Sequence, residues 1–226
     1  SIDEWKVARY LHGWCQLSKA FDIATGFFEI GSLLSLDGEW QKVDRIRVLM
    51  GDVVSLRTKK AFEEGLGNIV RKLDDSIEKI KDKNPFLTGA LAIVDALRTG
   101  KIQCKVYRKE KFHAKAYITH ARLDVVGAAA LVGSSNFTYP GLHENIELNV
   151  QITGGQVAVL QEWYEEHWNS ESAEDVTPEI LRTFERHTRD YTPFEVYTRA
   201  LQELFEHHTP TDAEWERLES KMYPRL

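Results

Sequence analysis

Cysteine is scarce in this chain: Cys15 and Cys104 are the only two in 226 residues. A disulfide framework is thereby excluded, and both read as isolated core thiols suited to a reducing cytoplasm. Long apolar runs are missing as well. No stretch reaches the length of a membrane span and no signal peptide opens the chain, so no membrane contact is implied. The chain starts at Ser1 instead of Met, as a fragment or a processed chain would. Clustered metal ligands are also lacking. The eight histidines are scattered and no group of carboxylates has ligand spacing, which calls for neither a metal nor any other cofactor. Without internal repeats or low-complexity stretches, the length suits one good-sized domain with a small appendage.

Positive charge is in deficit overall, and a formal net charge of −6 argues mildly against a nucleic-acid partner. Its distribution argues the other way. Arg98 to Arg122 holds eight Lys/Arg against the single acid Glu110, whereas Gly141 to the C-terminus holds eighteen acids against seven Lys/Arg. A basic stretch of this kind attracts a polyanion and makes its binding salt-dependent. Lys105, Arg108, Lys109 and Lys111 are the candidate nucleic-acid-binding residues. His120 and Arg122, nearby in sequence, read as surface positions.

The same stretch carries the chemistry. Lys111 to Ile118 alternates, with Lys111, His113, Lys115 and Tyr117 on one face and Phe112, Ala114, Ala116 and Ile118 on the other, as a strand requires. Ala128 to Val132 reads as a short buried strand that ends in the turn Gly133-Ser134-Ser135-Asn136. Asn145 to Ile152 alternates again, with Asn145, Glu147, Asn149 and Gln151 on one side. Three neighbouring strands would then present His113, Lys115, Ser134, Asn136 and Glu147 at one sheet end. An imidazole nucleophile surrounded by an ammonium, a carboxamide and a hydroxyl for phosphate oxygens is what metal-free phosphodiester chemistry needs.

His113-x-Lys115, the Gly133-Ser-Ser-Asn136 turn and the later Glu147 together resemble the signature of the phospholipase D superfamily, over roughly residues 20 to 168. The resemblance implies a mixed α/β sheet with helices on both faces and a reaction that uses two histidines. One attacks phosphorus, and the other protonates the leaving oxygen. Only one His-x-Lys is present here, so the resemblance implies a homodimer whose two-fold axis brings two His113 residues together. Lys115, Asn136 and Ser134 would hold phosphate oxygens, and Glu147 would orient a His113 ring. One departure stands out: where the superfamily usually has Asp, five residues after the lysine, this chain has His120. Ala24-Thr-Gly-Phe-Phe28 and Tyr191-Thr-Pro-Phe-Glu-Val-Tyr197 are similar to the phospholipase D-like module that precedes some bacterial Swi/Snf-type helicases. That likeness implies a nuclease acting on nucleic acid, with DNA the expected partner, inside a larger DNA-processing or defence protein that carries a helicase domain. The alternative is a catalytically inactive module that binds nucleic acid and dimerises its host.

Around these segments the pattern predicts a helix over Asp3–Leu17 and a strand over Phe21–Phe28, with Thr25-Gly26 bringing backbone close to the active centre. Ile46–Met50 reads as a buried apolar strand and Ile102–Tyr107 as another. Helices are expected from Thr58 to about Lys81, over Leu87–Leu97 and over Gln156–Trp168. Residues 1–170 form the phospholipase D-like domain on this reading. Residues 171–226 form a helical extension or linker with helices over Pro178–Arg189, Pro193–His207 and Asp212–Met222, the boundary falling near Asn169–Thr177.

Overall fold

Aliphatic runs that cannot face water on either side set the central strands. The computed structural model describes residues 6–51, 84–109 and 111–188. Its strands are β1 Ser18–Thr25, β2 Arg45–Met50, β3 Ile102–Tyr107, β4 Ala116–Ala121, β5 Ala129–Gly133, β6 Asn149–Thr153 and β7 Ala173–Asp175. They form one seven-stranded sheet in the order β6-β5-β4-β1-β2-β3-β7. β1, β2 and β3 run parallel, while β4 opposes β1, β5 opposes β4, β6 opposes β5 and β7 opposes β3.

The helices are α1 Val7–Leu17, α2 Ile30–Leu34, α3 Asn84–Arg98, α4 Gln156–Trp168 and α5 Thr177–Thr188. Val7, Ala8, Leu11 and Cys15 make the buried stripe of α1, at the spacing one helix face dictates. They join Ile30 and Leu33 of α2, Ile93 and Leu97 of α3, and Ile180 and Phe184 of α5 against Phe21, Ile23, Val48 and Cys104 of the sheet. The opposite face is covered by α4, whose Val157, Tyr164 and Trp168 pack on Ala24, Leu49, Ile118 and Ala130. The expected mixed sheet with helices on both faces is therefore the observed one. Cys15 and Cys104 are both free and buried. Among the described residues no helix is long and apolar enough to cross a membrane.

Several boundaries differ from the pattern, each for a pairing reason. β1 stops at Thr25 because residues 26–28 leave the sheet: Phe28 bridges Phe137, and Glu29 N–H donates to the Phe137 carbonyl at 3.0 Å. β4 begins at Ala116 and not at Lys111, since Ala116 lies opposite Ala24, next to the end of β1. β6 begins at Asn149, paired with Gly133 at the end of β5, after a wide π turn over Pro140–Glu144. The boundary drawn between residues 170 and 171 also moves. β7 joins the same sheet beside β3, α5 packs on the larger core, and the compact unit runs to Thr188. The helices predicted over Thr58–Lys81, Pro193–His207 and Asp212–Met222 lie outside the described residues.

One buried charge cluster fastens the centre of the sheet. The run Ile46–Met50 is not wholly apolar: Arg47 sits within it, 4% exposed. Its Nε and Nη2 donate to the two oxygens of Asp22 at 2.7 and 2.8 Å, across the β1–β2 pair. It also donates to Glu165 of α4, and its guanidinium lies 5.1 Å from the Tyr164 ring centre and 5.2 Å from that of Trp168. The His120 ring hydrogen-bonds Asp22 from β4, with its side chain only 20% exposed. The expectation of a surface histidine fails because the diagonal across β1–β4 ends on this carboxylate.

Burial alone would raise the Asp22 carboxyl, but the hydrogen bonds from His120 and Arg47 hold it below the usual carboxylate range. The stability that Asp22 contributes is thus complete above its unfolded value near 4 and is lost as pH falls through the lower folded value. Asp22→Asn is expected to cost about 3–5 kcal/mol in urea unfolding at pH 7, because it leaves Arg47 buried beside half its partners. Repeating the titration at progressively lower pH should close the gap between variant and wild type.

Candidate active site

Strand direction brings the chemistry together. β1 and β5 end where β4 and β6 begin, as the pairs Ala24–Ala116, Ala116–Val132 and Gly133–Asn149 require. Residues 25–28, 113–115, 134–136 and 147 therefore share one end of the sheet. His113 and Lys115 lie just before β4 and not within a strand, and Glu147 lies just before β6.

Gly26 marks the point of convergence. A Cβ added there would lie 3.0 Å from His113 Cδ2, 3.2 Å from Asn136 Oδ1 and 3.3 Å from Lys115 Nζ. Lys115 Nζ donates to the His113 carbonyl at 3.1 Å, which ties the two motif residues together. Gly51, the residue after β2, supports the same segment, since a Cβ there would fall 1.9 Å from the Phe112 carbonyl oxygen. Only a residue without a side chain fits so close to that backbone.

The Lys115 ammonium lowers the pKa of His113, aided by partial burial and by Lys111. The neighbouring cations thus favour the neutral form of the His113 imidazole. Burial lowers Lys115 as well, with Glu147 opposing that shift.

Ser134 and Glu147 meet, but on each other. Ser134 Oγ donates to one Glu147 oxygen, and Asn145 Nδ2 donates to the other at 3.1 Å. Ser134 Oγ in turn accepts from Leu148 N–H at 3.1 Å. Within one chain, then, Glu147 holds the turn and is not bonded to the His113 ring. Beneath the turn, buried Ser135 accepts from Tyr117 at its carbonyl (3.1 Å) and from Asn149 at its hydroxyl (2.9 Å).

The four basic candidates divide. Lys109 and Lys111 are exposed. Lys105 folds inward, donating to the Trp168 carbonyl at 2.9 Å with its ammonium 4.8 Å from that ring's centre. Arg108, just after β3, pairs with Glu174 of β7. Among the described residues no group of three or more His, Cys, Asp or Glu lies where it could hold a metal ion.

Sequence reasoning passed over Asp22 and Glu165, and Thr25 was noted only for its backbone. The signal for the first two was an arginine inside a strand otherwise built for burial, which must find carboxylates. For Thr25 it was a hydroxyl at a strand end next to glycine.

Residues 43–168 match a family of domains described as cardiolipin synthase, PLD-like domain. No curated protein matches the chain. Among solved structures, the chain is similar to a phospholipase D family member, Nuc from Salmonella typhimurium. Identity is 13%, with 74% of this chain and 88% of that one covered at a TM-score of 0.41. NucT from Helicobacter pylori is similar at 14% identity, over 75% of this chain and 90% of that one, with a TM-score of 0.40. Phosphatidylserine synthase from Haemophilus influenzae Rd KW20 is similar at 12% identity, over 77% of this chain but 40% of that one, with a TM-score of 0.45.

A proton NMR titration of the imidazoles tests the electrostatics directly. His113 should deprotonate below the usual histidine range. Removing the cation in Lys115→Met should raise its value, and Lys111→Ala should raise it less. An unmoved His113 in both variants would show that these lysines do not set its charge.

Proposed function

The chain belongs to the family of cardiolipin synthase, PLD-like domains, and from that premise we propose that it is a metal-independent phosphodiesterase. In this reading it is a nuclease, working through a phosphohistidine in a site that two copies complete. The single observation that carries the reading is the convergence of His113, Lys115 and Asn136 within 3.3 Å of one point beside Gly26. An imidazole held neutral, an ammonium and a carboxamide around one small volume suit a phosphate better than any other common group.

The steps follow from the groups. A His113 ring nitrogen attacks phosphorus and the bond to the leaving oxygen breaks, while the second copy's His113 gives that oxygen its proton. Water then attacks the phosphohistidine, losing its proton to the second histidine as the phosphorus–nitrogen bond breaks. Lys115 and Asn136 stabilise the charge that gathers on the equatorial oxygens.

A second copy has a natural seat. β6 is an edge strand, and Ile146 and Leu148 in the segment leading into it and Val150 within it are 101%, 78% and 60% exposed, beside Glu147. An apolar edge of this kind invites pairing, and a two-fold contact there would bring two sites face to face. Lys109 and Lys111, exposed at the same end of the sheet, suit a nucleic-acid backbone. Placement within a larger helicase-type DNA-processing or defence protein is the native setting we propose, on the likeness of residues 24–28 and 191–197.

Plasmid, single-stranded DNA and RNA should be cleaved in excess EDTA by the wild type and not by His113→Ala. Asn136→Ala should lower kcat on the order of 10²–10³-fold. Leu148→Asp should yield a folded monomer by light scattering and lose cleavage with it. No cleavage by a folded, dimeric wild type that binds DNA would favour instead the inactive binding module, with His120 in the usual aspartate position as the first cause to examine.

A further inference from the structure

Three side chains from two different loops press on one backbone position, and that position is glycine. A Cβ at Gly26 would stand 3.0 Å from His113, 3.2 Å from Asn136 and 3.3 Å from Lys115, too tight for His113 to stay where it is. Beside it, Thr25 is fully buried. Its hydroxyl donates to the Phe27 carbonyl at 2.6 Å, accepts from the Phe137 N–H at 2.9 Å and lies 3.4 Å from Asn136 Oδ1. One hydroxyl thus joins the chain leaving β1 to the chain leaving β5, next to Asn136. The bridge between Phe28 and Phe137, with rings stacked at 5.5 Å, continues the same seam.

We propose that Thr25 and Gly26 form a positioning element for the reaction: Gly26 is the backing against which His113, Lys115 and Asn136 converge, and Thr25, through the Phe137 N–H, fixes the backbone that carries Asn136. The Thr25 hydroxyl gives its one proton to the Phe27 carbonyl and accepts the Phe137 N–H, so it holds the backbone directly after Asn136. Neither residue supplies a side-chain group to the chemistry. They act by holding three groups around one point beside Gly26, where small displacements are costly to rate. The proposal rests on the phosphodiesterase reading above.

The test compares full-length wild type with Gly26→Ala, Thr25→Val and Thr25→Ser. Turnover is followed with bis(p-nitrophenyl) phosphate, and affinity with inorganic phosphate by calorimetry. Gly26→Ala should fold, since Gly26 does not need a positive φ, yet lose kcat on the order of 10- to 100-fold. Thr25→Val keeps the shape and drops the hydroxyl; it should lose kcat similarly while KM changes little. Thr25→Ser restores the hydroxyl and should recover most of the rate, a rescue that a purely structural role would not give. Full activity in Gly26→Ala or in Thr25→Val overturns the proposal while leaving the phosphodiesterase reading intact. A wild type that neither turns over the diester nor binds phosphate overturns both. Should Gly26→Ala not fold, the Thr25 pair decides.

Discussion

Because β4 runs against β1, the residues before one strand meet the residues after the other, and every feature of the site depends on that ladder. Ala24 opposite Ala116 sets the register. One step beyond it, Thr25 and Gly26 stand next to Lys115 and His113. Had β4 been parallel, its leading residues would lie at the far end of the sheet, about 20 Å away for strands of this length. β5 then turns back beside β4 and delivers Asn136 to the same end, so two antiparallel steps assemble a centre that no single loop could build.

The ion cluster beneath this ladder explains why the register holds. Arg47 is buried among two carboxylates and two aromatic rings, and each charge would be prohibitively costly alone. Slipping β1 against β2 by one residue would turn Asp22 to the other face and strand the guanidinium. His120 adds β4 to the same arrangement through Asp22. The residue that departs from the superfamily pattern is thereby joined to an acid from the neighbouring strand.

Much of this was legible in the sequence because period-two alternation and turn chemistry are local. The turn at Gly133–Asn136, α4 from Gln156 to Trp168, and a sheet covered on both faces all follow from neighbours in the chain. The strand starts did not, since alternation in 111–115 continues past the point where a partner strand exists to pair with. The inward fold of Lys105 onto Trp168, and the capture of Glu147 by Ser134 and Asn145, were hidden for a related reason. Charge and spacing say that a side chain is polar, but only the packed structure says which partner reaches it first. Arg47 is the instructive case: a single charge in a buried strand announces a partner without naming it.

The closeness of Gly26 and Gly51 to the motif segment has a consequence for portability. The family match spans residues 43–168, yet the strand that lies between β4 and β2 in the sheet comes from residues 18–25. A piece trimmed to the matched span would keep His113, Lys115, Asn136 and Glu147 and lose the strand on which their geometry is built. The motif would survive as text without surviving as a site.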